Sequence, residues 1–141
     1  MAGETCTICD WPEEEILASS TEAKAFFVRQ PARPGHIAVA TRAHRPRLQD
    51  ASSSEAGAVL ALARDIAAAA APVLGIEKFY LAAVGDVDPH FHVHLLPKSA
   101  DDPKLGPFLF SAVGWQGHEG RERDLAVEKR IREAFDHRHP G

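Results

Sequence analysis

The sequence predicts an α+β domain with an antiparallel sheet of about five strands and two main helices. Strand-like segments occur in two pairs, residues 25–29 with 36–41 and residues 77–84 with 90–96. Turn residues separate the members of each pair, and the first pair is predicted to form a hairpin. A helical pattern lies between the two pairs, and a charged helical pattern lies near the C-terminus.

Length, composition and charge limit the classes of function. The chain has 141 residues, enough for one domain with a single core. Its formal charge of −4 argues against a general electrostatic attachment to nucleic acid or acidic lipid. No stretch approaches the roughly 18–20 apolar residues of a membrane span, and the N-terminus lacks the basic and apolar regions of a signal peptide. We therefore expect a cytoplasmic protein with neither nucleic acid nor a membrane as partner.

The helices are predicted from capping residues and apolar spacing. Ser52 and Glu55 have the spacing of a capping box, which marks the start of the first helix. Pro72 should end or bend this helix, and Gly75 suits its C-terminus. The stripe that should face the core consists of Val59, Leu62, Ala63, Ile66, Ala67 and Ala70. The second helix is predicted over residues 125–135.

The remaining strands are assigned from composition. Residues 77–84 are apolar enough to predict a strand that is buried on both faces. Residues 108–113 are assigned as a short fifth strand, whereas residues 16–20 are too short to assign.

The most informative segment is a predicted strand in which three histidines alternate with apolar residues. His90, His92 and His94 should share one face, about 6.5–7 Å apart, because alternate side chains of a strand point the same way. The residues that should pack on the opposite face are Phe91, Val93 and Leu95. Imidazole can bind a metal, transfer protons near neutral pH or attack as a nucleophile. The alternation argues against solvated surface histidines, but composition does not choose between metal and nucleophile.

Residues 90–96 resemble the signature of the histidine triad (HIT) superfamily, His-φ-His-φ-His-φ-φ, where φ is apolar. Residues 34–39 are similar to the family's Gly-His-x-x-Val strand. His44 followed by Leu48 is similar to its downstream histidine segment. Residues 96–98, Leu-Pro-Lys, resemble the Pro-Arg that often ends the triad strand. The resemblance therefore implies a HIT-like fold.

The resemblance also implies a nucleotidyl hydrolase or transferase. Its substrates would be nucleoside monophosphates joined through the α-phosphate to an amine, another phosphate or a sugar phosphate. The middle histidine, here His92, would attack the phosphorus, and water or an acceptor would cleave the nucleotidyl-histidine. His94 would hydrogen-bond the phosphate oxygens or pass a proton to the leaving group. By the same resemblance His36 lies near the phosphate, Lys98 adds positive charge and Phe26 contacts the nucleobase. No catalytic cofactor is expected.

The only two cysteines, Cys6 and Cys9, form one Cys-x-x-Cys. By themselves they are compatible with a redox pair, half of a metal site or two small buried residues. A redox site would follow a strand, and only five residues precede this pair. The resemblance implies a structural zinc, as in prokaryotic zinc-containing HIT proteins, with His44 and His90 as the other two ligands.

The sequence departs from the family pattern at two places. Many members have Asp or Asn after the first-strand phenylalanine, where it binds the ribose hydroxyls, and this chain has Val28 and Arg29. Many also have a Gly-Gln/Ser stretch before the triad, and this chain has the turn at residues 85–89. Asp86 and Asp88 are interpreted as turn-forming residues. The base and the leaving group of the substrate therefore stay open.

Three alternatives remain open at this point. One is transfer to a phosphate acceptor instead of water. Another is a metallohydrolase with the three histidines around one metal, and the third is a zinc-stabilised nucleotide-binding or scaffold protein without turnover. The resemblance covers roughly residues 5–98. With a C-terminal extension at residues 99–141 it predicts a single domain over residues 1–141 that pairs as a homodimer.

Overall fold

In the part of the chain that the structure describes, five strands form one sheet and two long helices pack on one of its faces. The computed structural model describes residues 6–100 and 123–140. The elements in chain order are β1 (Ile16–Ser19), β2 (Ala23–Phe27), β3 (Ile37–Thr41), α1 (Ser53–Leu74), β4 (Lys78–Ala82), β5 (His92–Lys98) and α2 (Leu125–Arg138). The predicted five-stranded antiparallel sheet with two main helices is confirmed.

The order of the strands is β1-β2-β3-β5-β4, and every neighbouring pair is antiparallel. The strand with the histidines therefore lies between β3 and β4. Ala40 pairs with His92, and Ala38 pairs with His94. Because directly opposed residues point to the same face of a sheet, these two small side chains stand beside the two imidazoles, where Ile8 and Phe26 pack with them in a second buried cluster.

The boundaries of β5 differ from the predicted strand at residues 90–96. The strand begins at His92, so the prediction that His90 belongs to it is wrong, and it continues through Pro97 to Lys98. Its pairing with β3 ends at Leu95. Pro97 therefore lies where β4 is the strand's remaining neighbour, a position at which the missing N–H of proline is tolerated.

Among the described residues, the strand β4 lies at an edge of the sheet, with β5 as its single neighbour. Leu81 of β4 is 51% exposed, which corrects the prediction of a strand buried on both faces. The predicted strand at residues 108–113 lies outside the described residues. The fifth strand of the observed sheet is β1, a segment of four residues that composition does not reveal.

Helix α1 begins as its capping residues predict. Ser52 Oγ accepts a hydrogen bond from the Glu55 N–H at 3.0 Å, and the Glu55 carboxylate accepts one from the Ser52 N–H at 2.8 Å. The helix passes Pro72 and ends at Leu74, two residues later than that proline suggested. Gly75 follows with φ +62°, a left-handed conformation that favours glycine.

One face of α1 supplies much of the main core. Its buried apolar residues are Val59, Leu62, Ala63, Ile66, Ala69 and Ala70, and Ala67 is partly buried. They pack against β2, β3 and β5, and Ile131 of α2 joins the same cluster.

By length and composition α1 could also cross a membrane, because an 18-residue window of the helix has a mean hydropathy of 1.6. The expectation that no stretch approaches the length of a membrane span is therefore wrong. A third of that window is buried in the fold, where its apolar side chains form part of the core.

The packing of α1 gives a matched pair of substitutions. Ile66 is fully buried, whereas Leu60 on the same helix is 55% exposed. We expect Ile66→Ala to lower the free energy of unfolding by about 2–5 kcal/mol because it leaves a cavity in the core. Leu60→Ala should change it by less than about 0.5 kcal/mol. Urea unfolding followed by circular dichroism measures both, and equal losses would contradict the assigned core face.

Candidate functional site

Strand β5 separates the core from the histidines. Val93 and Leu95 point into the main core, and Phe91 packs against it. His92 and His94 alternate with these residues and stand on the other face, with ring centroids 4.8 Å apart. The strand thus holds two imidazoles on an element whose other face is fixed by packing.

The hydrogen bonds of His92 determine which ring nitrogen carries the proton. Its Nδ1 lies 2.6 Å from the carbonyl oxygen of His90. A carbonyl can only accept, so Nδ1 donates and Nε2 holds the lone pair. Nε2 has no hydrogen-bond partner among the described residues, although the side chain is only 7% exposed. The buried ring therefore presents a nucleophilic nitrogen.

A second series of hydrogen bonds places the proton of His94 on Nε2, the opposite of the arrangement in His92. The Ala32 N–H donates to Nδ1 of His36 at 3.0 Å, so the proton of His36 is on Nε2. That Nε2 lies 2.9 Å from Nδ1 of His94 and donates to it. His94 consequently carries its proton on Nε2. His36, which was expected near the substrate phosphate, therefore lies within hydrogen-bond distance of His94.

His94 is held in its neutral form. Burial lowers its pKa to about 3, and the charge of His92 acts in the same direction. At neutral pH the ring is therefore uncharged, and its Nε2–H is a hydrogen-bond donor.

Two cavities adjoin these histidines. The larger, about 560 Å³, lies between residues 46–48 and 83–86, with His92 among its lining residues. The smaller, about 180 Å³, is lined by residues 84–88 together with His92 and His94. A further cavity of about 590 Å³ lies near the end of α1 and the start of α2, and no histidine lines it. The space available to a ligand of His92 is therefore the adjoining pair.

The N-terminal cysteines meet two histidines in a second cluster. Cys6 Sγ lies 3.3 Å from His90 Nδ1, and Cys9 Sγ lies 3.4 Å from the same nitrogen. Cys9 Sγ is also 3.4 Å from His44 Nδ1. The four ligand atoms all lie within 4.8 Å of one another. The structure thus brings together the four predicted metal ligands.

The dimensions of this cluster fit a tetrahedral ion. Bonds of about 2.3 Å to sulfur and about 2.0–2.1 Å to nitrogen give ligand–ligand distances of about 3.3–3.8 Å. The contacts of 3.3 and 3.4 Å match this range. Burial is the main cause, and the Cys6 thiol the second, that raises the pKa of Cys9 to about 11. A bound cation would favour the thiolate, which is the form that binds metal.

Neighbouring groups orient the members of this cluster. His90 Nε2 donates to the carbonyl oxygen of Thr41 at 2.7 Å, which leaves Nδ1 as the ligand atom. The Cys9 N–H donates to Cys6 Sγ at 3.3 Å. Lys24, which is buried, donates through Nζ to the carbonyl oxygen of Ile8 at 2.6 Å and ties the cysteine loop to β2.

Among the described residues, the group that could hold a metal contains His90 but neither His92 nor His94. The alternative with three histidines around one ion is therefore not favoured. His90 belongs to the cysteine cluster, and His92 and His94 belong with His36.

The predicted phosphate-binding residue Lys98 lies away from His92 and His94. It is at the far end of β5, four residues beyond His94, which corresponds to about 13 Å along the strand. Its side chain is buried, and Nζ lies 3.4 Å from a Glu77 carboxylate oxygen and donates to the Ser99 carbonyl at 3.1 Å. The structure does not bring Lys98 to the histidines.

The predicted base-binding residue Phe26 lies on the histidine face of the sheet but is covered. It pairs with Ala38, which pairs in turn with His94. The Trp11 ring stacks on it at a centroid distance of 3.9 Å, and the Arg29 guanidinium lies over the Trp11 ring at 4.1 Å. A nucleobase would therefore meet the Trp11 side chain before the face of Phe26.

Sequence reasoning missed three supporting groups. They are the Thr41 carbonyl, the Ala32 N–H and the Lys24 side chain. The first two are backbone groups and leave no signal in residue type. Lys24 has one, because it is a single charge within the apolar run of β2.

Comparison with known proteins agrees with this geometry. A family model described as HIT domain matches residues 12–101. The asymmetrical bis(5'-nucleosyl)-tetraphosphatase of Schizosaccharomyces pombe is 30% identical over 128 residues, which cover 85% of this chain and 68% of that protein. A Zn-bound histidine triad family protein from Mycobacterium smegmatis matches with a TM-score of 0.72 at 20% identity, over 94% of each chain. Plasmodium falciparum diadenosine triphosphate hydrolase matches with a TM-score of 0.66 at 16% identity, over 89% of this chain and 77% of that one. The chain belongs to the HIT domain family.

Proposed function

We propose that this protein is a nucleotide hydrolase that cleaves a nucleotide conjugate at its α-phosphate through a covalent nucleotidyl-histidine on His92. The observation that carries the proposal is the hydrogen bond from His92 Nδ1 to the His90 carbonyl, since it leaves Nε2 as the attacking nitrogen beside the cavities. Family membership and the relation to a tetraphosphatase support hydrolysis of a nucleotide.

The reaction has two balanced steps. His92 Nε2 forms a bond to phosphorus while the bond to the leaving group breaks, and that bond's electron pair departs with the leaving group. The leaving group takes a proton from solvent where its basicity requires one. Water then attacks the same phosphorus, its oxygen stays on the nucleotide, and the electrons of the N–P bond return to His92. The protons of that water pass to solvent.

His94 and His36 support this reaction through hydrogen bonds. The Nε2–H of His94 would donate to the phosphate oxygens, where negative charge increases in the transition state. His36 acts as a positioning residue because its Nε2–H fixes the tautomer of His94. Lys98 has no part in this proposal, since Glu77 and Ser99 hold it.

We further propose that Cys6, Cys9, His44 and His90 hold one zinc ion, which would make this chain a HIT protein of the prokaryotic zinc-containing type. Two sulfurs and two nitrogens at tetrahedral spacing suit zinc in a closed, structural site. The ion would fix the His90 backbone, whose carbonyl orients His92. Pairing as a homodimer, the cytoplasmic location and a single domain over residues 1–141 stay predictions.

Substitution of the nucleophile tests the mechanism. We expect His92→Ala to lower AMP release from nucleotide conjugates by at least about a thousandfold, because no other described side chain replaces Nε2. In the wild type, mass spectrometry after rapid neutral quenching should detect one nucleotidyl group on His92. His137→Ala, an exposed histidine of α2, is the control and should keep full activity. Full activity of His92→Ala would refute the mechanism, and ADP formed on adding inorganic phosphate would indicate transfer instead of hydrolysis.

Removal of a thiolate ligand tests the metal site. We expect about one zinc per chain in the wild type and much less in Cys9→Ser, with a lower Tm, because a structural site contributes to folding. Elemental analysis by mass spectrometry measures the zinc content, and thermal unfolding measures the Tm. His137→Ala, which removes a histidine outside the cluster, is the control. Equal zinc content in Cys9→Ser and wild type would exclude this ligand set.

The neutral state of His94 predicts a pH dependence of stability. Its folded pKa of about 3 lies below the unfolded value of about 6.5. Between these two pKa values the unfolded state therefore binds more protons than the folded state. The contribution of His94 to stability is present above pH 6.5 and is lost as the pH falls. Between pH 6.5 and 5 we expect the free energy of unfolding to fall by about 1.6 kcal/mol more in the wild type than in His94→Gln. Urea titrations at a series of pH values measure this difference, and parallel curves would contradict it.

A further inference from the structure

A buried lysine lies beneath the loop that carries the two cysteines. Lys24 is 4% exposed and is the single charged residue of β2. It pairs with Ala40, which pairs in turn with His92, so its side chain stands on the histidine face of the sheet. The reaction proposed for His92 does not use this cation.

The ammonium of Lys24 has a single partner. Its Nζ donates to the Ile8 carbonyl oxygen at 2.6 Å. Within the ranges that the structure describes, no carboxylate pairs with it and it makes no second hydrogen bond. An ammonium has three donors, and burying its charge beside one neutral acceptor costs free energy. The position of this lysine is therefore explained by what it holds, and not by a gain in stability.

What it holds is the middle of the cysteine loop. Ile8 lies between Cys6 and Cys9, is 3% exposed and packs in the buried cluster on the histidine face. The Asp10 N–H donates to the Cys6 carbonyl at 2.9 Å, and the Cys9 N–H donates to Cys6 Sγ at 3.3 Å. The loop is thus a closed turn, and a force on the Ile8 carbonyl reaches both thiols.

The two halves of the metal cluster are placed in different ways. His44 follows β3 and His90 precedes β5, so the sheet positions both imidazoles. The cysteines lie in a loop without a strand of its own, at residues 6–10. Among the described residues, the bond from Lys24 is the one hydrogen bond between this loop and a strand of the sheet. Because a ligand set that is ordered in advance loses less entropy on binding, this attachment bears on the affinity for the ion.

We propose that Lys24 is a positioning residue of the metal site. Its ammonium holds the Ile8 carbonyl, and through it Cys6 and Cys9, in the place where both sulfurs face His90. In this role Lys24 acts through the loop and is not itself a ligand. The inference rests on the zinc site of the proposed function and concerns how the chain retains the ion.

Zinc retention by Lys24→Met tests this role. Methionine keeps most of the volume of the lysine side chain and removes the donor and the charge. Full-length protein loaded with zinc is equilibrated with chelators of graded affinity. We expect the zinc Kd of Lys24→Met to be about 10–100-fold higher than that of the wild type, as for other groups that orient metal ligands. Lys129→Met, which removes an exposed lysine of α2, is the matched control and should retain zinc as the wild type does.

Two further measurements separate positioning of the loop from a general role in packing. With zinc removed by chelator, Lys24→Met should have a Tm no lower than that of the wild type, because methionine buries no charge. Zinc should then raise the Tm of the variant less than that of the wild type. In the zinc-free proteins, the amides of residues 9–11, which make the hydrogen bonds of the loop, should exchange with D₂O faster in Lys24→Met.

The outcomes distinguish this role from the metal site and from the hydrolase. A zinc Kd of Lys24→Met within about threefold of the wild type would overturn the role, since groups that orient ligands have larger effects. A Tm loss that is equal with and without zinc would overturn it as well, because a packing defect produces that pattern. Wild-type protein that retains no zinc would overturn the metal site itself. AMP release by His92 is a separate measurement, so the proposed hydrolase stands or fails independently.

Discussion

The hydrogen bond between His92 Nδ1 and the His90 carbonyl is the interaction on which the candidate site depends. It fixes the ring of His92 and directs the lone pair of Nε2 away from the backbone. The His90 backbone is itself held by its side chain, since Nε2 bonds to the Thr41 carbonyl and Nδ1 faces Cys6 and Cys9. Disturbance of the cysteine cluster would therefore reach His92 through a single residue, without any contact between the cluster and the substrate.

The sheet makes this arrangement rigid and leaves space for a ligand. Strand β5 pairs with β3 over residues 92–95 and with β4 over residues 94–98, and Val93 and Leu95 anchor its other face in the core. The opposed residues on β3 are Ala38 and Ala40, whose small side chains allow Ile8 of the cysteine loop to pack beside the histidines. The same alternation that buries one set of side chains thus presents the other set to the cavities.

The sequence predicted side chains better than their surroundings. The spacing of Cys6 and Cys9, together with the family resemblance, identified all four members of the cysteine–histidine cluster, because ligand chemistry is encoded in residue type. Lys98 was expected at the phosphate, yet it pairs with Glu77, a contact that depends on the register of β4 against β5. The edge position of β4 and the strand β1 also escaped prediction, since pairing order is a tertiary property that local composition does not contain.

The tautomers of the two site histidines could not be predicted either, because backbone groups determine them. A carbonyl acceptor gives His92 a lone pair at Nε2, whereas the Ala32 N–H, acting through His36, gives His94 a proton at Nε2. The two neighbouring rings therefore present opposite functions, a nucleophile and a hydrogen-bond donor. A phosphate group has the complementary pattern, an electrophilic phosphorus beside acceptor oxygens. Because both rings are set by neighbours within the fold, no rearrangement of protons is needed before attack, which is the sense in which the site is preorganised.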